Sequence, residues 1–318
     1  MKRVKNWTIK RVLRQLGDPR VQALILLGVG IVLAFAPDLY LFMLARAFLW
    51  PWALAFILFA LVSAGLRRWW LASAALVALL LTGMAINEGQ APPDSGDGNA
   101  CLSVAQMNLY QYNDRHKDVL QTARGTHADL ISFQEVYSVW AQVLAKGLGA
   151  LYPYSRIELQ HDCYGIAVFS KLPMLGTEVL RIGTRPAITA EVRTAEGAVR
   201  ILAVHTTSPG SYGEFRDREK QLVWLADLVE ASKIPTVVLG DLNTASWDSA
   251  FRQLCSKAHL KEGGGAPRAT WPATVGLPLT PLDHVLVTPQ LGVSSTRSFP
   301  IPGSDHRGLV AEITTTLP

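Results

Sequence analysis

The sequence predicts an α/β fold, sheets covered by helices, that follows a separate apolar region. Two observations predict the α/β part. From Ala100 onward, short runs of β-branched and aliphatic residues alternate with stretches of helical periodicity. Several of those runs stop at a polar residue, which places polar groups at strand ends, where α/β proteins build their sites. A third observation predicts the separate region: the apolar runs Val21–Ala36, Phe48–Leu66 and Trp69–Ile86 all precede Ala100.

Each of those runs approaches the ~17–25 residues of a membrane-spanning helix, the first at the short end. A signal peptide followed by a buried core would show one short apolar stretch and a cleavage site, not three spans in series. Gly28 and Gly30 are tolerated in a membrane helix. Orientation follows from the basic residues. Lys2, Arg3, Lys5, Lys10, Arg11, Arg14 and Arg20 precede the first run, Arg67 and Arg68 separate the second from the third, and the first turn offers Asp38. The positive-inside rule keeps the N-terminus and Arg67-Arg68 in the cytoplasm and sends everything after Asn87 outside. Arg46 is expected at the outer interface, its stem along lipid and its head in water.

Residues 1–87 hold ten of the 30 Lys and Arg and two of the 25 Asp and Glu, which leaves 20 basic and 23 acidic residues, a net charge of −3, for the rest. The basic isoelectric point belongs to the N-terminal region. The outer part lacks the net positive footprint of a nucleic-acid binder, although a local basic patch is allowed. Cys101, Cys163 and Cys255 show no zinc-type spacing. In an oxidising exterior one disulfide can form, and Cys101 and Cys163, which both open apolar runs, are the better pair; three buried thiols carry slightly more weight.

The elements follow in order. Glu88–Asn99, rich in Gly, Pro, Asp and Ser, reads as a linker between residues 1–87 and a domain at 100–318. Strands are expected at Cys101–Met107, Leu130–Gln134, Tyr164–Ser170, Thr236–Gly240, Val285–Thr288 and Gly308–Thr314. Ala187–Thr194 and Ala198–Val204 read as paired strands across a turn. Helices are expected at Asp118–Thr126, Trp140–Leu148, Phe215–Ala231 and Trp247–Lys257. The long one sets Leu222, Leu225 and Leu228 at helical spacing.

The candidate chemistry lies at the strand ends. Gly240 closes a β-rich run, and Asp241 and Asn243 follow at i and i+2, so they point the same way. Asn243 can instead cap the next helix. Glu135 emerges from Ile131–Gln134, where an acid can hold a hard cation through oxygen or simply favour a helix N-terminus. Asn108 closes the first strand and His205 the Ile201–Val204 run; singly, each reads as a turn or structural residue. Asp283-His284 and Asp305-His306 each set an acid beside a histidine ahead of an apolar run. Phosphoester hydrolysis needs such a set: a cation to polarise the phosphoryl oxygen, a base of near-neutral pKa such as histidine, a carboxylate to orient it, and a donor for the developing charge.

The ordered set Asn108, Gln134-Glu135, His205, Gly240-Asp241-Leu242-Asn243, Asp283-His284 and Ser304-Asp305-His306 resembles the endonuclease/exonuclease/phosphatase superfamily. That group includes deoxyribonuclease I, exonuclease III, neutral sphingomyelinases and inositol-polyphosphate 5-phosphatases, and the resemblance covers residues 100–318. It implies a four-layer α/β/β/α sandwich, deoxyribonuclease I-like, with the site at one edge. It implies Mg²⁺ or Mn²⁺ held by Glu135, with Asn108 and Asp305 nearby. His306 is implied as base on water, oriented by Asp283. Asp241 is implied to serve the attacking or leaving oxygen, and Asn243 and His205 to bind phosphoryl oxygens. The acid that some nucleases pair with the histidine matching His205 is not evident; Glu158 and Asp162 are the candidates. Arg185, ahead of Pro186, can reach a phosphate as a bidentate donor. Trp271 can face substrate or lipid, or pack in its loop, and Arg218 reads as an ion-pair partner on the long helix.

Three spans ahead of an exported domain resemble bacterial membrane-anchored members, including the VanJ-type teicoplanin-resistance proteins. The resemblance implies a Mg²⁺-dependent phosphoric ester hydrolase, multi-pass in the inner membrane, with its catalytic domain on the periplasmic or extracellular side. Its partner would be a membrane phospholipid or a lipid-linked phosphate such as a polyprenyl (pyro)phosphate. One alternative is an exported or membrane-tethered nuclease, which the charge of −3 opposes without excluding nucleic acid. The other is a non-catalytic surface module, which would not need the whole acid and histidine set.

Overall fold

The computed structural model of the chain describes residues 17–88, 100–263, 267–274, 276 and 278–315. The basic residues from Lys2 to Arg14 and the expected linker after Glu88 lie outside the described residues. The chain divides into two compact units, Met1–Gly89 and Gln90–Pro318.

The first unit contains helices α1 (Pro19–Phe35), α2 (Tyr40–Arg46), α3 (Leu49–Gly65) and α4 (Trp69–Glu88). Asp18 caps α1, its side chain accepting the Arg20 N–H, and Pro19 fits the first turn, where its missing N–H costs nothing. Both α1 and α3 pack on α4, which buries the small residues Ala72, Ala75, Ala78 and Thr82. Small residues let helix backbones approach closely: a Cβ on Gly30 would lie 2.7 Å from Ala78. By length and composition, α4 can cross a membrane by itself. The α1–α2 pair meets the same standard only as a unit bent by 99°, and α3 is a shorter apolar helix. Among the described residues this makes one spanning helix, or two with the bent pair counted, where the sequence predicts three. The difference is one of length: a 17-residue helix such as α3 spans about 26 Å against a hydrocarbon core of about 30 Å. Arg46 also departs from expectation. It is buried, and its Nη1 donates at 3.0 Å to the carbonyl of Ala36, past the end of α1, where a helix leaves carbonyls unpaired.

The second unit holds two six-stranded sheets. The first comprises β1 (Ala100–Asn108), β2 (Leu130–Gln134), β3 (Tyr154–Glu158), β4 (Ile166–Ser170), β11 (Leu291–Pro300) and β12 (Arg307–Thr315), in the order β11-β12-β1-β2-β4-β3. The second comprises β5 (Met174–Ile182), β6 (Arg185–Thr194), β7 (Gly197–His205), β8 (Thr236–Asp241), β9 (Lys261–Glu262) and β10 (Asp283–Val287), in the order β5-β6-β7-β8-β10-β9. The helices are α5 (His116–Gly125), α6 (Ser138–Leu148), α7 (Tyr212–Glu230) and α8 (Ser249–Lys257).

Three apolar clusters order the layers. Leu102, Val104 and Leu130 of the first sheet meet Ile201, Val237 and Val285 of the second. Val119, Trp140 and Leu144 of α5 and α6 cover Ile131 and Phe133. Leu222, Leu225 and Leu254 of α7 and α8 cover Leu202, Val238 and Leu286. The layers therefore run helix, sheet, sheet, helix. The strands without a counterpart in the sequence reading, β3, β5, β9 and β11, all lie at sheet edges. Cys101, Cys163 and Cys255 are free, half-buried thiols.

Candidate active site

On the inter-sheet face, β7, β8 and β10 are apolar for most of their length: Ile201 and Ala203, Val237 and Leu239, Val285 and Val287. The alternation of a strand puts His205, Asp241 and Asp283 next on that same face. Register sets them in one row, His205 opposite Asp241 and Asp241 opposite Asp283. The first sheet behaves alike. Leu102 and Val104 give way to Gln106 and Asn108, Leu130 gives way to Ser132 and Gln134, and Asn108 pairs with Gln134. Glu135 directly follows β2, and His306 directly precedes β12. The site is thus the end of the inter-sheet core where polar side chains replace apolar ones. The same alternation turns His284 to the other face, with Nδ1 2.7 Å from Glu262 and Nε2 2.8 Å from the Thr244 carbonyl.

Backbone conformation at the site is unusual. Gly240 has φ +142°, and a Cβ there would lie 1.9 Å from the Val204 carbonyl, so only glycine lets β7 and β8 pair beside Asp241. Glu135 and Asn243 have φ of +60° and +47°, a region that non-glycine residues rarely adopt and that clusters at functional sites. Asn243 does not cap α8, whose N-cap is Asp248.

Asp283 and His306 form the closest acid–histidine pair on the inter-sheet face, Oδ2 to Nδ1 at 2.8 Å. Gln106 Nε2 donates to Asp283 Oδ1 at 2.5 Å and to Gln134 Oε1 at 2.8 Å. Asp241 Oδ2 accepts from Asn108 Nδ2 at 3.0 Å and faces His205 Nε2 at 3.6 Å and His306 Nε2 at 3.8 Å. Asp241 Oδ1 accepts the Asn243 N–H at 2.9 Å, and Asn243 Nδ2 donates to the Thr206 carbonyl at 2.9 Å. Glu135 accepts the Gln111 N–H at 2.7 Å. Trp271 Nε1 donates to Asp305 Oδ2 at 3.1 Å.

Burial and neighbouring charge shape the protonation states. Burial alone would lower the His306 pKa, but the charges of Asp283 and Asp241 outweigh it and raise it to about 10. Burial opposes ionisation of Asp283, yet the charge and hydrogen bond of His306 hold its pKa below the ordinary value. Burial, then the charge of Asp283, pushes Asp241 up to about 7. Burial, then the charge of His306, pushes His205 down to about 3. Burial also raises Glu135, against the Gln111 N–H and Asn108.

A model of the Endonuclease/Exonuclease/phosphatase family matches residues 105–306. The chain belongs to that family. Comparison with curated proteins gave no match. Solved structures of similar fold include the endonuclease/exonuclease/phosphatase from Beutenbergia cavernae DSM 12333, at 20% identity over 68% of this chain and 72% of that chain, with a TM-score of 0.56. D. rerio TDP2 complexed with single strand DNA product aligns at 18% identity over 67% of this chain and 99% of that chain, with a TM-score of 0.56. Sphingomyelinase C from Streptomyces griseocarneus aligns at 17% identity over 66% of this chain and 98% of that chain, with a TM-score of 0.51. At these identities the likeness is one of fold.

In this endonuclease/exonuclease/phosphatase family member, the fold brings Asn108, Glu135, His205, Asp241, Asn243, Asp283, Asp305 and His306 to one end of the inter-sheet layer. Trp271 joins them through Asp305. Arg185 stands one ring away. Its Cζ lies 3.5 Å over the Tyr164 ring, Nη1 bonds Asp162 at 2.5 Å, and Nε bonds Thr207 Oγ1 at 3.2 Å. Arg218 is buried, with Nη2 2.5 Å from Glu219 and Nη1 2.9 Å from the Asn243 carbonyl, so it braces the loop after β8. Neither acid proposed for His205 reaches it: Glu158 bonds Arg181 at 2.8 Å and Asp162 bonds Arg185. Gln106 and Tyr164 are the residues that sequence reasoning missed. Gln106 had a signal, since it lies two residues before Asn108 on the same strand face.

The donor set fits a hard divalent cation. Asp305 Oδ1 is buried with no hydrogen-bond partner, and the half-buried Glu135 carboxylate is disfavoured as an anion by its burial. Asp241, Asp283 and His306 also bring one ligand atom each within 4.8 Å of one another. Asp283 and His306 are already bonded to each other, so Glu135 and Asp305 carry the more open oxygens, with Asn108 Oδ1, which accepts the Tyr110 N–H at 3.0 Å, beside them.

Proposed function

We propose that this family member is a membrane-held, metal-dependent phosphoesterase. Its substrate is a phospholipid or a polyprenyl (pyro)phosphate presented at the outer face of the membrane. The observation that carries the hydrolytic reading is the buried Asp283–His306 pair at 2.8 Å, in one polar row with Asp241 and beside Glu135 and Asp305.

His306 Nε2, the nitrogen away from Asp283, takes the proton of the attacking water when the imidazole is neutral, a form that the charge of a cation at Glu135 and Asp305 would favour over the metal-free pKa of about 10. Asp283, itself fixed by Gln106, holds the imidazole in place. Asp241, raised to about 7, holds or releases a proton at the attacking or leaving oxygen. Asn243 Nδ2 and His205 Nε2 donate to phosphoryl oxygens. Mg²⁺ or Mn²⁺ held by Glu135, Asn108 and Asp305 would supply a Lewis acid for the phosphoryl group. Arg185 meets the phosphate through Nη2, the nitrogen outside its bonds to Asp162 and Thr207. Trp271 borders the lipid portion.

In this reading α3, α4 and the bent α1–α2 pair make three crossings of a bacterial inner membrane, in a VanJ-type layout. Arg67 and Arg68 stay in the cytoplasm, and residues 100–318 work outside. The charge of −3 on residues 88–318 favours a lipid head group over a nucleic-acid backbone. The test is Mg²⁺-dependent phosphate release by the purified full chain in detergent, with lipid-linked phosphates and DNA compared. Glu135→Ala and His306→Ala should each lower release from the lipid by about 10²-fold or more. Full activity in both variants would sink the reading, and salt-sensitive cleavage of DNA alone would replace it with a nuclease.

A further inference from the structure

His205 has one nitrogen accounted for. Nε2 faces Asp241 Oδ2 at 3.6 Å, while Nδ1 is buried with no hydrogen-bond partner. A histidine that serves a site is ordinarily oriented by a hydrogen bond on its second nitrogen. Here an aromatic ring packs against the imidazole instead. Tyr164 lies 4.7 Å from the imidazole, centroid to centroid, tilted by 42°.

Tyr164 is itself fixed. It is 5% exposed. Its hydroxyl accepts the Ser208 N–H at 2.9 Å, and Arg185 Cζ sits 3.5 Å over its ring. Asp162 and Thr207 hold Arg185 at 2.5 Å and 3.2 Å, and Gln221 Nε2 holds Thr207 Oγ1 at 2.9 Å. The next residue, Gly165, meets the segment after Glu135 so closely that a Cβ would lie 1.9 Å from the Val136 carbonyl. The tyrosine is therefore clamped at its backbone, its ring face and its hydroxyl. Asp162 and Glu158, the two acids that were candidates to serve His205, are paired with Arg185 and Arg181.

We propose that Tyr164 is the positioning residue for His205: its clamped ring fixes the imidazole plane that aims Nε2 at the reacting phosphate, the task a carboxylate on Nδ1 would otherwise perform. An aromatic contact restrains ring rotation without adding a further negative charge to those of Asp241 and Asp283. The chemistry of this inference rests on the hydrolytic reading above; its geometry does not.

Two measurements on the full chain test it. With p-nitrophenyl phosphate and Mg²⁺, Tyr164→Leu should lower kcat about 10-fold and change KM less than about 2-fold, while Tyr164→Phe, which keeps the ring, stays within about 2-fold of the parent. In a His205→Gln background, Tyr164→Leu should lower kcat no further, since a residue acting through His205 has nothing left to act on. Effects that multiply in the double variant, or a phenylalanine variant as impaired as the leucine one, overturn the proposal. The second measurement does not depend on turnover. In spectra of ¹⁵N-histidine-labelled protein, assigned with His205→Gln, the His205 ring should show one tautomer in the parent and in Tyr164→Phe, and an averaged signal in Tyr164→Leu. An unchanged His205 signal in Tyr164→Leu overturns the positioning role. Absence of turnover alongside the expected spectra counts against the hydrolytic reading alone.

Discussion

Two histidines face the Asp241 carboxylate and are pushed in opposite directions. His306 is raised to about 10 and His205 is lowered to about 3. A histidine raised above its unfolded value of ~6.5 contributes stability that is full below that pH and is lost as pH rises toward the folded value. Asp241, raised to about 7, acts in the same direction from ~3.9 upward. His205 and the depressed Asp283 act the other way, so their contributions are lost as pH falls. The metal-free chain should therefore show a plateau of stability between about pH 4 and 6.5, where His205 and Asp241 offset each other, and a decline from about 6.5 to 10. Thermal unfolding in EDTA checks this, and His306→Gln should shrink the alkaline decline, leaving the part contributed by His284, whose pKa burial would lower but Glu262 raises. A decline of equal size in that variant would place its cause elsewhere. At this scale the strand-start pattern makes Asp283 and His306 legible singly, beside His284 and Asp305, and their pairing is legible only through the family resemblance. The partner of His205 is not legible, because it is a ring face rather than a charge, and Tyr164 looks in sequence like an ordinary strand aromatic.

The elements that sequence made legible are the central strands, and the ones it hid are β3, β5, β9 and β11 at the four sheet edges. The reason is physical. β2, β4 and β8 are buried along their whole length, so they read as unbroken apolar runs. β3 and β5 are largely exposed or half-buried. β9 has only two residues. An edge strand is held by backbone hydrogen bonds to one neighbour, and these leave no trace in side-chain pattern. The central strands also carry the site, so hidden edges cost the functional reading little. Gly240 is where element and site meet. Gly240→Ala places a methyl group 1.9 Å from the Val204 carbonyl at a φ of +142°, and should cost at least about 3 kcal/mol. Urea unfolding should show a lower midpoint at an unchanged slope. A midpoint within error of the parent would mean that β7 and β8 can separate freely at this point.

At the scale of the whole molecule, the proposed membrane-held reading makes the number of crossings decide where the site works. The basic N-terminus is expected in the cytoplasm. One crossing, by α4 alone, or three crossings would put residues 100–318 outside, whereas two, by α4 and the bent α1–α2 pair, would return them to the cytoplasm. The choice between two and three rests on α3. That helix exposes Leu54, Ile57, Leu58, Leu61 and Val62, a patch too apolar to leave in water. Its shortfall against the hydrocarbon core is a few Å, which a bilayer accommodates by local thinning at modest cost. Three crossings are therefore expected. Protease added outside intact spheroplasts should then cut between Glu88 and Ala100 and release the second unit, while leaving the first in the membrane pellet after carbonate washing. A chain that stays whole until the membrane is permeabilised would mean two crossings. It would move the substrate to the inner leaflet without changing any residue of the site.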